Sequence, residues 1–276
     1  MGARAIRRMG TYSLVVIVVV IALFPLYWLV TTSMLTDNAL FVLPPRFAPN
    51  ENLLRNYLLY LRANPFLLWL RNSMLTCGSA TVVSTFIALF GAYSLSRFVF
   101  RGRVLLVFLI LLTQMLPSVL LVIPIFILFS GLQLNNSLVG LALVYTCVTL
   151  PIGLWFLKGF FDAIPVELQD AARIDGCTQI GVLFRIAIPL IVPGIMATAT
   201  WSFIVGWDEF VFAYSMISTD SLWPVSVGLA SHIGQYGISW SKIMSGAVLA
   251  TLPIGILFMF FQRQLISGLT AGAVKA

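Results

Sequence analysis

An all-α integral membrane protein, with six transmembrane helices and a helix-turn-helix loop on the cytoplasmic side, is the fold class this sequence predicts. Three observations carry that reading. Hydrophobic residues make up 60% of the 276 and charged residues 9%, against roughly 25% charged in ordinary soluble domains. Mean hydropathy is +1.02. Apolar runs of about 20 residues, the length a helix needs to cross a bilayer, recur six times and leave no stretch for a separate soluble domain, so residues 1–276 read as one membrane domain.

The first window, near 12–35, follows Arg4, Arg7 and Arg8. A basic start before an apolar run has the outline of a signal peptide. The run continues to about Met34 without a small-residue cleavage site, so it is expected to remain as the first span. From Asp37 to about Leu70, Pro44, Pro45 and Pro65 stand among polar and aromatic residues, which predicts a folded outer loop with a short helix. Windows near 73–96, 104–130, 138–158, 193–217 and 243–262 supply the other spans. Pro117 and Pro124 in the third, Pro151 in the fourth and Pro253 in the sixth each remove a backbone hydrogen bond and are expected to bend a helix. Either neighbouring helices repair the gap or the bend acts as a hinge.

Six spans put both termini on one side. Eleven of the sixteen Lys and Arg then share that side, including Arg97, Arg101, Arg103, Lys158, Arg173, Arg185, Arg263 and Lys275, and the positive-inside rule makes it cytoplasmic. Arg46, Arg55, Arg62, Arg71 and Lys242 lie outside. The net charge of +7 is thus a topology signal at the ends of apolar runs, not a continuous patch for nucleic acid. Cys77 and Cys147 fall inside apolar runs and Cys177 in a polar loop, without disulfide or metal spacing. The sequence holds no G-x-x-x-x-G-K-[ST] phosphate loop and no H-E-x-x-H, and its one histidine, His232, reads as a surface residue of the last outer loop. Enzyme classes are disfavoured on these grounds.

The loop Phe161–Val192 holds four of the nine acids: Asp162, Glu167, Asp170 and Asp175. Pro165 suits the start of a helix running into Ala171 and Ala172, with acids in its first turns favoured by the helix dipole, and Gly176 suits its end. Ile180, Leu183, Phe184 and Ile186 mark a second short helix, stopped by Pro189 and Pro193. Physics alone leaves two readings, a docking knob for a partner or a helical loop lying on the headgroups.

Asp170-Ala171-Ala172, then Gly176, then Ile186-Ala187-Ile188-Pro189 resembles the EAA motif of ABC importer permeases, E-A-A-x3-G-x9-I-x-L-P, with every spacing kept. Asp170 stands for Glu, Ile188 for Leu, and Cys177 for the usual Ala. Ala92-Tyr93-Ser94-Leu95-Ser96-Arg97-Phe98 ahead of Phe100 and Gly102, Phe160-Phe161 ahead of Ile164-Pro165, and Gly268-Leu269-Thr270-Ala271-Gly272 are similar to the MalG-type branch of carbohydrate permeases. The resemblance implies the type I importer permease fold in the inner membrane and a non-catalytic subunit that binds no cofactor itself. ATP and Mg would be held by a dimer of cytoplasmic ATPases, and a second homologous permease and an extracytoplasmic solute-binding protein would complete the system. It further implies that Asp170, Ala171, Ala172, Asp175 and Gly176 couple to the ATPase, with Ile186 and Pro189 packing the loop against the membrane domain.

Trp207-Asp208-Glu209-Phe210 is the second unusual feature. Counted from Pro193, Asp208 lies about 15 residues, or roughly 22 Å, into the fifth span, where a carboxylate costs roughly 2.5–3.5 kcal/mol. Trp207, Asp208 and Glu209 are candidates for a translocation path or gate, with Gln114 of span three a weaker one. The alternatives for the pair are a structural hydrogen bond to a neighbouring helix and exposure at the outer surface. The competing reading is an ion-coupled secondary transporter with Asp208 or Glu209 carrying the proton. Trp155, Trp201, Phe203 and Trp207 suit stacking on sugar faces, but aromatics also fill membrane helix interfaces.

Overall fold

The computed structural model describes residues 2–48, 54–234 and 237–273. In chain order the helices are α1 (Gly2–Ser33), α2 (Asp37–Leu40), α3 (Arg55–Ala63), α4 (Phe66–Arg97), α5 (Arg103–Thr113), α6 (Ser118–Gly131), α7 (Leu138–Asp162), α8 (Val166–Ile174) and α9 (Gln179–Val182). After a π-turn over Leu183–Ala187 come α10 (Ile188–Leu190), α11 (Val192–Asp208), α12 (Val211–Met216), α13 (Val225–Ala230) and α14 (Trp240–Ala273). A two-residue antiparallel ribbon, Ile233–Gly234 with Gly237–Ile238, precedes α14.

Among the described residues, four helical segments are long and apolar enough to cross a membrane: Gly10–Ser33, Phe66–Arg97, Leu138–Asp162 and Trp240–Gln262. Two bent pairs bring the number to six if each is one span, Arg103–Thr113 with Ser118–Gly131 at 98°, and Gln179–Leu190 with Val192–Asp208 at 74°. The third window is therefore two helices broken at Gln114–Pro117, where the proline ring disfavours helical geometry in the residue before it. Pro124, Pro151 and Pro253 lie inside helices that run on through them. The second span starts at Phe66, seven residues before the expected 73, immediately after Pro65, so the outer loop is shorter than its composition suggests. The fifth window also divides, at Glu209.

The chain clusters into two compact units. One comprises the chain up to Phe66 with Leu229–Leu252; the other comprises Leu67–Gly228 and the chain from Pro253. In the first unit, the Asn56 amide donates to the Ser33 and Leu35 carbonyls, at 3.0 and 3.1 Å, and Ser245 Oγ donates to Ser33 O at 3.0 Å. Tyr60 is buried, edge-on to Phe66 and to His232, so the histidine is half-covered rather than free on the surface. Burial pushes the Tyr60 hydroxyl well above its ordinary range, and burial together with nearby Lys242 lowers the His232 imidazole. Across Val15–Ile21, α1 is exposed on every side, so its apolar surface is left to lipid or a partner.

The second unit packs α4, α7 and α11. Gly194, Thr198, Ser202 and Gly206 recur at every fourth residue of α11 and are all buried, a small-residue stripe of the kind that lets membrane helices approach closely. A Cβ at Gly206 would meet Tyr145 at 3.4 Å and Cys77 Sγ at 3.6 Å. At the far end of these helices a core of Ala88, Ala92 and Tyr93 from α4, Leu157, Phe161 and Ile164 from α7 and its end, and Leu183, Ala187 and Ile191 receives the loop between α7 and α11.

Candidate functional site

The loop is two short helices joined by a glycine cap. Pro165 precedes α8, with Glu167 in the first turn and Arg173 in the last, both favourable to the helix dipole. Gly176 has φ +87°, its N–H donates to Arg173 O at 3.0 Å, and the Cys177 N–H donates to Ala172 O at 2.9 Å. That pair of bonds is a Schellman cap, and an L-residue resists the left-handed geometry at its centre. Thr178 Oγ1 then accepts from Gly181 N at 3.1 Å and starts α9. The π-turn directly ahead of Pro189 accommodates a residue that has no N–H to donate and crowds the carbonyl four residues back.

The faces of α8 divide sharply. Gln169 and Ala172, three apart, are buried within this chain at 2% and 5% exposure. Asp170, Ala171, Asp175 and Gly176 are exposed, as is Ile174 at 87%. Asp170 lies 3.6 Å from Arg173, both half-exposed, a pair worth about 0–1 kcal/mol and easily surrendered to a competing donor. The resemblance groups Ala172 with the ATPase-facing residues; in the structure its side chain is turned into its own chain. The inward packing expected of Ile186 and Pro189 is done chiefly by Val182, Leu183, Ala187 and Ile191, all buried, while Ile186 is half-buried and Pro189 exposed. A π-turn advances more residues per turn than an α-helix, which shifts which side chains face the core.

Arg97 joins this loop to the end of α4. Its Nη2 donates to Phe161 O at 2.5 Å and Ile164 O at 2.8 Å. With the Gln169 carbonyl turned toward the guanidinium, Oε1 accepts from Nε at 2.9 Å and from Nη2 at 3.1 Å. Nearby, Ser96 Oγ donates to Asp162 Oδ1 at 2.6 Å, Lys158 pairs with Asp162, and Gln179 Nε2 donates to Tyr93 OH at 2.9 Å while its Oε1 accepts from Arg173. In the sequence Arg97 stands as a topology signal and a motif residue, and Gln169 carries no assigned role. A polar residue on the apolar side of an amphipathic helix was the available signal.

The acid pair separates into two environments. Asp208 ends α11 with its side chain exposed. Glu209 is extended and caps the next helix: Oε1 accepts from Phe212 N at 2.9 Å and Oε2 from Ala213 N at 3.2 Å. Its carbonyl accepts from Ser226 Oγ at 2.9 Å and from Tyr145 OH at 3.4 Å. The Glu209 carboxylate is thus occupied in holding the break between α11 and α12. Trp207 is buried and stacked on Phe203. Gln114 is exposed at the break between α5 and α6, not beside the acids in sequence or secondary structure. The tail Gly268–Gly272 lies within α14, and Lys275 falls outside the described residues.

Residues 80–270 match the family described as "Binding-protein-dependent transport system inner membrane component". The chain is 36% identical over 259 residues to the sulfoquinovosyl glycerol transport system permease protein SmoH of Agrobacterium fabrum, covering 94% of this chain and 91% of that one. It is 33% identical over 264 residues to the trehalose/maltose transport system permease protein MalG of Thermococcus litoralis, covering 94% of both. A crystal structure of a bacterial ABC transporter involved in the import of the acidic polysaccharide alginate contains a chain that superposes with a TM-score of 0.78 at 20% identity, over 95% of this chain and 98% of that one, which is a likeness of fold. This chain belongs to the family of binding-protein-dependent inner membrane transport components. It is a multi-pass permease of an ABC importer, and the ion-coupled alternative is set aside.

Proposed function

We propose that this permease forms half of the transmembrane path for a sugar or sugar derivative, delivered by an external binding protein and driven by ATP hydrolysis on partner subunits. The cargo class rests on relatives named for carbohydrates and alike over nearly the whole chain. A second, homologous permease supplies the other half of the path, two cytoplasmic ATPases hold ATP and Mg, and this chain holds neither and catalyses nothing. Both termini and the Phe161–Val192 loop face the cytoplasm, on the side of eleven of the sixteen basic residues.

The observation that carries the coupling role is the outer face of α8, with Asp170, Ala171 and exposed Ile174 presented beside the Gly176 cap. A small residue and an apolar residue leave room for a partner backbone, and Asp170 offers a carboxylate to its donors. Movement of the ATPases presses on that face, and the loop passes it to the ends of α4 and α7. Trp207, Asp208 and Gln114 are proposed for the path or its gate, with Glu209 supporting it through the helix break.

The test is uptake by vesicles in which this chain, its partner permease, the ATPase and the binding protein are reconstituted, across a panel of labelled mono- and oligosaccharides. ATP-dependent accumulation of at least one sugar, lost when Ala171→Trp blocks the outer face, is expected. Failure to transport any sugar while transporting a peptide or an amino acid would refute the cargo class.

A further inference from the structure

We propose that Arg97 and Gln169 form a transmission node, a pair of positioning residues that ties α4 to the docking helix so that the two move as one body. The inference rests on the coupling role given above to α8. Arg97 stands at the last position of α4. Its guanidinium reaches the carbonyls of Phe161 and Ile164, on either side of the turn that leads from α7 into α8, and the buried amide of Gln169 within α8. Three elements meet on one side chain. The Phe161 carbonyl also accepts from Ile164 N at 3.1 Å, and a guanidinium, a planar fork of donors, reaches it and the Ile164 carbonyl together. Gln169 sits on the inward face of α8, one residue before the exposed Asp170. A force applied to the outer face of α8 therefore has a direct polar path to α4 through Gln169 and Arg97, beside the longer one through Arg173, Gln179 and Tyr93.

Charge-assisted bonds of this kind are the strong class, and sliding α8 relative to α4 would strand the buried Gln169 amide oxygen and take from the Ile164 carbonyl its donor. Lys at position 97 keeps the charge but cannot form the fork. Met at 169 keeps the volume and removes the acceptor, whereas Glu keeps the acceptor and adds a charge opposite the guanidinium.

The experiment compares Gln169→Met, Gln169→Glu and Arg97→Lys with the parent in the reconstituted complex, measuring ATPase stoichiometry after purification and solute taken up per ATP hydrolysed. Gln169→Met is expected to retain the ATPase and to hydrolyse ATP while uptake per ATP falls about tenfold, the loss of one strong bond's worth of linkage. Arg97→Lys is expected to fall similarly, and Gln169→Glu to stay within about twofold of the parent, a rescue that a purely volumetric role would not give. Parental coupling in Gln169→Met overturns the node. Loss of the ATPase from that variant overturns it too, because the pair would then shape the docking surface instead of transmitting through it. A parent complex without ATP-driven uptake defeats the coupling role itself and is seen in the control before any variant is compared.

Discussion

Replacing Gly176 separates two roles for the loop, its own backbone geometry and the space around it. The residue sits at φ +87°, and a Cβ built there meets nothing of this chain within 4 Å. The cost of a side chain is therefore conformational: about 1–2 kcal/mol for an L-residue held left-handed, more for a β-branched one. If the cap opens instead, the Cys177-to-Ala172 and Gly176-to-Arg173 bonds are lost, each worth about 1 kcal/mol. At 1.4 kcal/mol per factor of ten, Gly176→Ala is expected to raise the open population of the loop about fivefold to thirtyfold. Gly176→Val should do so by more. Gly176→Asn, which tolerates this conformation, should stay within about threefold of the parent. Protease cleavage of the loop in inside-out vesicles reads the open population, and ATPase co-purification reads its consequence. Insertion of the spans should not change, since it depends on the apolar segments. Equal loss of the ATPase in all three variants would refute the conformational argument and leave crowding of a partner as the cause.

Glu209→Ala removes the cap from α12 and should cost about 0.5–2 kcal/mol of stability, with Glu209→Gln milder because one acceptor remains; thermal unfolding of the purified complex measures both. Gly194→Ala would bring a Cβ to 2.4 Å from Phe160 Cγ, and the forced repacking should cost about 1–3 kcal/mol in the same assay. Asp208→Asn should assemble at parental yield, because the side chain is exposed and caps nothing, while changing transport or basal ATPase rate; unchanged transport would remove Asp208 from the path. A membrane-impermeant thiol reagent should leave Cys177 unmodified in intact cells and modify it in inside-out vesicles, the reverse pattern contradicting the orientation.

The helical segments were legible in the sequence because hydropathy over 20 residues reports the solvent directly, and the loop was legible because Pro165, Gly176 and Pro189 each act through local backbone geometry. What escaped depended on tertiary placement. A window average cannot see the break at Gln114–Pro117 or the one at Glu209, since two short apolar helices and one long one have the same mean. The acid pair read as one feature, yet backbone bonds from Phe212 and Ala213 occupy Glu209 and leave Asp208 free. Ala171 and Ala172 were alike in the motif, and only the direction of α8 decides that one faces out and the other in. The stripe Gly194, Thr198, Ser202, Gly206 was visible as a four-residue period of small residues, and its meaning came with the helices it packs against.

ATP-driven accumulation of sugar is read from uptake of a labelled sugar into cells with this permease and its partners, under two separate treatments. Collapse of the ion gradients with ATP maintained should leave the initial uptake rate within about twofold, while depletion of ATP with the gradients maintained should abolish it, as expected where the energy enters through the ATPases and this loop. Uptake that survives ATP depletion and stops with the gradients would contradict the account.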